Sequence, residues 1–130
     1  MFTETELEDL YAQGYSGYTA GNFTQASQLF ASLVQASPFD ERYWRGLASS
    51  EQMATNYKEA LHAWAMVALL VTDDPMPHFH AAECLTSLSE SDEALKALIM
   101  AENLLKSETR EEISQQLQQK IQLLRETHGH

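Results

Sequence analysis

The sequence predicts an all-α domain of three stacked helix pairs closed by a C-terminal helix, and two observations carry that prediction. A shift of 34 residues brings small and large residues into register three times along the 130-residue chain, and a short polar break halves each copy. Ala26, Ala60 and Ala94 share one column; Phe30, Trp64 and Leu98 share the next, and Leu33, Val67 and Ala101 another. Upstream, Gly14, Ala48 and Ala82 align, Phe23 meets Tyr57, and Gln25 meets Glu59 and Glu93. Fixed small residues let antiparallel helices approach closely at their crossing, while large neighbours fill the flanking gaps. No stretch reads clearly as a strand.

Taken in order, the first unit spans about 7–40. Its first helix carries Leu10, and Ala20-Gly21-Asn22 supplies a tight turn. Its second helix buries Phe30 and Leu33, and Ser37-Pro38-Phe39-Asp40 stops it. The second unit, about 41–74, repeats this plan with Trp44 and Leu47, the break Thr55-Asn56, then Trp64 and Val67, and ends at Thr72-Asp73-Asp74-Pro75. The third, about 75–108, turns at Ser89-Glu90-Ser91, where Asp92 and Glu93 suit the first turn of a helix. From about 108 to 127, Ile113, Leu117, Ile121 and Leu124 form one apolar stripe on a Gln- and Glu-rich helix. Such a helix can cover the open flank of a repeat stack; pairing with a second copy is the rival use of the same stripe.

Paired helices in a 34-residue register with these Gly/Ala, aromatic and Pro columns resemble the tetratricopeptide repeat. The likeness runs from Leu7 to about Lys106, and residues 1–130 are read as a single domain of this type. The apolar content of 44%, with 3 Pro and 5 Gly, excludes wholesale disorder. A net charge of −11, with no Lys or Arg before Arg42, argues against nucleic acid and anionic lipid as partners. The longest apolar run, Ala63 to Val71, is far too short to span a bilayer, so no stable membrane association is expected. The acidic N-terminal stretch from Met1 to Asp9 does not read as a secretory signal, and the lone Cys84 permits no internal disulfide. Both point to a reducing cytoplasm.

Catalysis finds little support, and no catalytic residue, cofactor or metal is expected. The chain lacks a nucleophile elbow, a phosphate loop and a Gly-rich turn after a strand. Cys84 follows Glu83, which would raise its thiol pKa, and reads as a small buried side chain. His78 and His80, two apart on a helix, point away from each other, whereas His80 and Cys84 could share an ion; two ligands make no structural zinc site. His128 and His130 read as a terminal tail with adventitious metal affinity at most.

In a stack of helix pairs the first helix of each pair lines the concave face, where function resides. Tyr11, Tyr15 and Tyr18 recur there at spacings of four and three in the first unit, beside Gly14 and Gly17. Tyrosines of this kind anchor peptides at low entropic cost, and packing against the next repeat is an equally good use of each. The corresponding positions are about Arg45, Ser49 and Gln52 in the second unit, then Phe79, Glu83 and Thr86 in the third. That lining suits an extended apolar peptide. It disfavours a clamp for a C-terminal carboxylate, since only Arg42 and Arg45 are basic.

The strings Arg42-Tyr43-Trp44-Arg45-Gly46-Leu47-Ala48, Gln52-Met53 and Tyr57-Lys58-Glu59-Ala60, and above all Pro77-His78-Phe79-His80-Ala81-Ala82-Glu83-Cys84-Leu85, resemble the class II chaperones of bacterial type III secretion. The likeness covers about Leu10 to Leu105, and its specific part is Phe79 to Leu85. It implies a cytoplasmic carrier without enzymatic activity that binds a hydrophobic, pore-forming translocator, whose N-terminal segment lies extended in the groove. By position it implies peptide contacts at Tyr11, Tyr15, Tyr18, Arg45, Ser49, Gln52, Phe79 and Glu83. Related chaperones carry an N-terminal helical segment used in self-association; this sequence begins almost at the first repeat, which leaves a homodimer an open expectation. A chaperone for a needle or other secretion component, or a general repeat adaptor, is the alternative. The acidity reads as the solubilising exterior of a carrier with an apolar binding face, not as a clue to a cationic ligand.

Overall fold

The computed structural model describes residues 1–128, and helices account for most of them. In chain order these are α1 (Glu4–Thr19), α2 (Phe23–Ala36), α3 (Glu41–Met53), α4 (Tyr57–Leu70), α5 (Met76–Ser87), α6 (Ser91–Leu105) and α7 (Glu111–Thr127). No strand occurs among the described residues. Consecutive helices pack as antiparallel neighbours, so α1/α2, α3/α4 and α5/α6 are the three pairs and α7 lies against the last. His130, considered above as a tail ligand, lies outside the described residues.

Each pair turns on the same joint. Gly21, Thr55 and Ser89 occupy equivalent places and all take left-handed backbone, with φ of 84°, 66° and 62°. The following N–H groups then reach back to close the first helix: Asn22 to the Gly17 carbonyl, Asn56 to that of Glu51 and Glu90 to that of Leu85, at 2.8–2.9 Å. The carbonyls of those same three residues accept from Ala26, Ala60 and Ala94, each at 2.9 Å, and so open the second helix. Glycine adopts this conformation freely; Thr55 and Ser89 hold it against steric resistance.

The joints between units share a second device. Asp40, Asp74 and Glu108 each accept the backbone N–H two residues ahead, from Arg42, Met76 and Arg110 at 3.1, 2.9 and 2.9 Å. A carboxylate there satisfies a free helix N–H and complements the helix dipole. Each also holds an arginine: Arg42 on Asp40, Arg45 on Asp74 and Arg110 on Glu108. The Arg110 hydrogen bonds bring Glu108 down to about 2. These three acids share the 34-residue register of the apolar columns. At the N-terminus, Thr3 and Glu6 form a reciprocal capping box at 3.1 and 3.0 Å, which starts α1 at Glu4, ahead of the expected Leu7.

The small columns sit at the helix crossings: Ala26, Ala48, Ala60, Ala82 and Ala94 are fully buried. Phe30, Leu33, Trp64, Val67 and Leu98 fill the space around them. Leu10, Trp44 and Leu47, expected as core fillers, are only half-buried, and the Trp44 indole donates to the Pro38 carbonyl at 2.7 Å. Phe30 projects from α2 into a slot that two glycines keep open. A Cβ at Gly46 would stand 2.3 Å from its ring, and one at Gly14 would stand 3.0 Å away. In α7, Leu117 and Ile121 are buried among Phe79, Leu98 and Leu105, with Leu124 beside them, so the stripe covers the α5/α6 pair. Ile113, its first member, stays exposed. An Arg125–Glu102 ion pair and a 2.8 Å hydrogen bond between Thr86 and His128 tie down the end of α7.

Candidate functional site

The first helices of the pairs, α1, α3 and α5, form one face crossed by two adjoining cavities. The first, about 240 Å³, is lined by Tyr11, Tyr15 and Tyr18 from α1, by Arg42, Arg45, Gly46 and Ser49 from α3, and by the buried Phe30. Its aromatic wall is partly self-supporting. Tyr11 packs edge-on to Phe30 at 6.0 Å between ring centroids and tilts against Tyr43 at 5.7 Å, so it is half committed to the core. Tyr18 meets Phe23 edge-on at 5.5 Å. Tyr15 is 58% exposed and is the tyrosine most free to take a ligand.

Both arginines at this cavity are already engaged. Arg42 binds Asp40 at 2.8 Å and Glu8 at 3.1 Å, which raises its pKa, and its guanidinium lies 5.0 Å from the Tyr11 centroid and 5.3 Å from that of Tyr43. Arg45 pairs with Glu41 and, at 2.7 Å, with Asp74. Burial works against its charge, but the two carboxylates outweigh that and raise its pKa. It forms a fixed polar wall with its charge locally balanced.

The second cavity, about 270 Å³, shares Tyr18 and Ser49 with the first and continues past Gln52, Met53, Trp64, His80 and Glu83. A hydrogen-bonded chain orders it. The buried Trp64 indole donates to Gln52 Oε1 at 2.8 Å, Gln52 Nε2 donates to Glu83 Oε1 at 3.1 Å, and His80 Nδ1 lies 2.6 Å from that same oxygen. The His80 ring also stacks on Trp64, centroids 4.6 Å apart. Burial pushes the Glu83 carboxyl up, yet the hydrogen bond and charge of His80, the amide of Gln52 and the more distant Lys120 hold it below the ordinary carboxylate range. A half-buried carboxylate is thus kept ionised among aromatic rings.

Seven of the eight residues expected at the groove, Tyr11, Tyr15, Tyr18, Arg45, Ser49, Gln52 and Glu83, line these cavities. Phe79 does not. It is 4% exposed and packs between Ala82, Leu98, Leu105 and Leu117, because its side chain turns toward α6 and α7. Its neighbour His80, weighed above only as a metal ligand, faces the cavity instead. Arg42, counted above with Arg45 as a basic residue of the groove, does line the first cavity. Gly46 was missed, although it lies one helical turn from Ser49 on the same face. Cys84 is fully buried among Ala48, Ala60 and Val67, and burial followed by the Glu83 charge pushes its thiol up to about 12. Among the described residues no group of three or more His, Cys, Asp or Glu could hold a metal ion, and no helix is long and apolar enough to cross a membrane.

No family model matches the chain. It is 32% identical over 103 residues to the low calcium response locus protein H of Yersinia pestis, a match covering 79% of this chain and 61% of that protein. The chain therefore spans about three fifths of that curated relative's length. Among solved structures, PcrH of Pseudomonas aeruginosa, in complex with the chaperone binding region of PopB, is 33% identical, with 87% of this chain and 91% of that one covered and a TM-score of 0.79. The type III secretion chaperone SycD of Yersinia enterocolitica, in complex with a peptide of the translocator YopD, is 27% identical, with 96% of each chain covered and a TM-score of 0.83.

Proposed function

The chain belongs to the type III secretion translocator chaperones, the family of PcrH and SycD, and on that premise we propose that it binds a hydrophobic, pore-forming translocator and keeps it soluble and competent for secretion. An extended N-terminal segment of the client lies across α1, α3 and α5, and the bacterial cytoplasm is the place of action. The role is binding alone, without catalysis.

The observation that carries this reading is the pair of adjoining cavities. They offer an exposed Tyr15, half-buried Tyr11 and Tyr18, the hydroxyl of Ser49, and hydrogen-bonded polar groups at Arg45, Gln52 and Glu83. Aromatic anchors separated by ordered hydrogen-bonding groups suit an extended peptide with spaced apolar side chains. A client with membrane-inserting segments exposes apolar surface and aggregates unless that surface is covered. The net charge of −11 keeps the loaded complex soluble. Co-expression tests the proposal: a translocator from the same organism should be soluble with this chain and aggregated without it. Equal solubility in both cases, or insolubility in both, overturns it.

A further inference from the structure

The second cavity holds more than an apolar anchor needs. Glu83 sits 36% exposed at the side chain with its charge maintained, and among the described residues both of its hydrogen bonds are taken through Oε1, from Gln52 and from His80. The Oε2 atom is left as an acceptor beside the cavity. The same cavity is bordered by Tyr18, by Met53 and by the His80 ring stacked on the buried Trp64. A carboxylate in a cavity with aromatic lining is a receptor for a cation: the charge pairs with the carboxylate while the aliphatic stem lies along exposed ring surface. The two arginines of the neighbouring cavity do not compete, because Asp40 and Glu8 hold Arg42 while Glu41 and Asp74 hold Arg45. Lys120 of α7 acts on Glu83 through space and makes no hydrogen bond to it among the described residues.

The geometry points to a basic-residue subsite in the groove: the Tyr18–Trp64–Glu83 cavity takes a lysine or arginine of the bound client segment, next to the apolar side chain seated between Tyr15 and Phe30. The inference rests on the groove binding an extended peptide and adds the charge that peptide must carry. It also locates a use for part of the chain's acidity, which the sequence alone assigned wholly to solubility. A neutral side chain of the same length would keep the aromatic contact and lose the ion pair, and an acidic one would meet repulsion from Glu83.

The test uses the whole chain and overlapping 15-residue synthetic peptides from the N-terminal region of a translocator from the same organism, with affinity read by fluorescence anisotropy. In the tightest-binding peptide each Lys or Arg is replaced in turn by norleucine, and every peptide is measured on the parent, on Glu83→Gln and on Tyr15→Ala. One basic position should lose about tenfold on the parent and less than about twofold on Glu83→Gln, since removing either partner of one ion pair abolishes the same coupling. Glu83→Gln keeps the size of the side chain, and an unchanged helical circular dichroism spectrum shows that it folds. If Tyr15→Ala weakens binding but no basic position couples to Glu83, the subsite is overturned and the groove stands. If Tyr15→Ala leaves every affinity unchanged, the groove reading fails with it.

Discussion

Replacing Gly46 by alanine adds one methyl group where the Phe30 ring lies against the α3 backbone. The new Cβ would stand 2.3–2.5 Å from three carbons of the Phe30 ring. Ordinary contact between carbons lies near 3.5–4.0 Å, so the ring or the helix must move by roughly 1 Å. Phe30 is 1% exposed, a Cβ at Gly14 would also stand 3.0 Å from its ring, and on the side of the first cavity Tyr11 packs edge-on against it, so a shift of the ring disturbs the neighbours that hold it. Overpacking of a closed core costs about 2–3 kcal/mol when no rotamer relieves it. For a domain of this size that lowers the melting temperature by roughly 6–15 °C. The assay is thermal unfolding followed by helical circular dichroism for the parent, Gly46→Ala, Phe30→Leu and the double variant. Since Phe30→Leu removes the atoms that collide, Gly46→Ala should cost under about 1 kcal/mol in that background. A Gly46→Ala protein that melts with the parent, or one that loses as much with Leu at position 30, would refute the argument that glycine is there to admit the ring.

Two further outcomes follow from the joints and the titrating groups. Thr55→Gly and Ser89→Gly should each raise stability by about 0.5–1 kcal/mol by relieving left-handed strain, whereas Gly21→Ala should lower it by a similar amount; a denaturant midpoint that moves the opposite way in either case contradicts the turn assignment. With pH, Asp40 is held down by Arg42, Glu108 is brought to about 2 by Arg110, and Glu83 is held down despite its burial. The folded chain then binds fewer protons than the unfolded one below about 4.5, so stability is fully present above that range and falls as acid approaches the folded values. Burial lowers His78 from 6.5, which adds loss in the same direction between pH 6.5 and its folded value. Cys84, pushed up to about 12 by burial, keeps its proton in the fold when the unfolded thiol loses it, so stability also declines above pH 9. Melting temperature against pH should form a plateau near pH 7–8 that drops on both sides; a maximum below pH 5 would be incompatible with these shifts.

Much of the fold was legible because a stacked repeat writes its packing rules three times. Ala26, Ala60 and Ala94 must be small for one geometric reason, and Phe30, Trp64 and Leu98 must be large for another, so the columns stand out against variable surface. The acid column Asp40, Asp74 and Glu108 followed the same register yet was hidden, since an acid between helices reads in the sequence as a solvated charge until its N–H partner is seen. On the groove, helical spacing alone put seven of eight residues at the cavities. Phe79 failed because adjacent residues of a helix differ by about 100° in direction: the apolar ring went to the core beside α7, and His80, next to it, went to the groove. The stacking of His80 on Trp64 depends on which rotamers the neighbouring pair allows, and no spacing rule encodes that.

The central claim, that the α1–α3–α5 face grips an extended segment of a translocator, is tested most directly by photo-crosslinking. A photoreactive phenylalanine analogue placed at Tyr15, inside the groove, is compared with one at Leu69, which is 71% exposed on α4 and outside both cavities. After co-expression with a translocator from the same organism and illumination, position 15 should give an adduct that maps to one short N-terminal segment of the client, and position 69 none. Crosslinks from position 69 alone, or an adduct at position 15 that maps to no single segment, would contradict it.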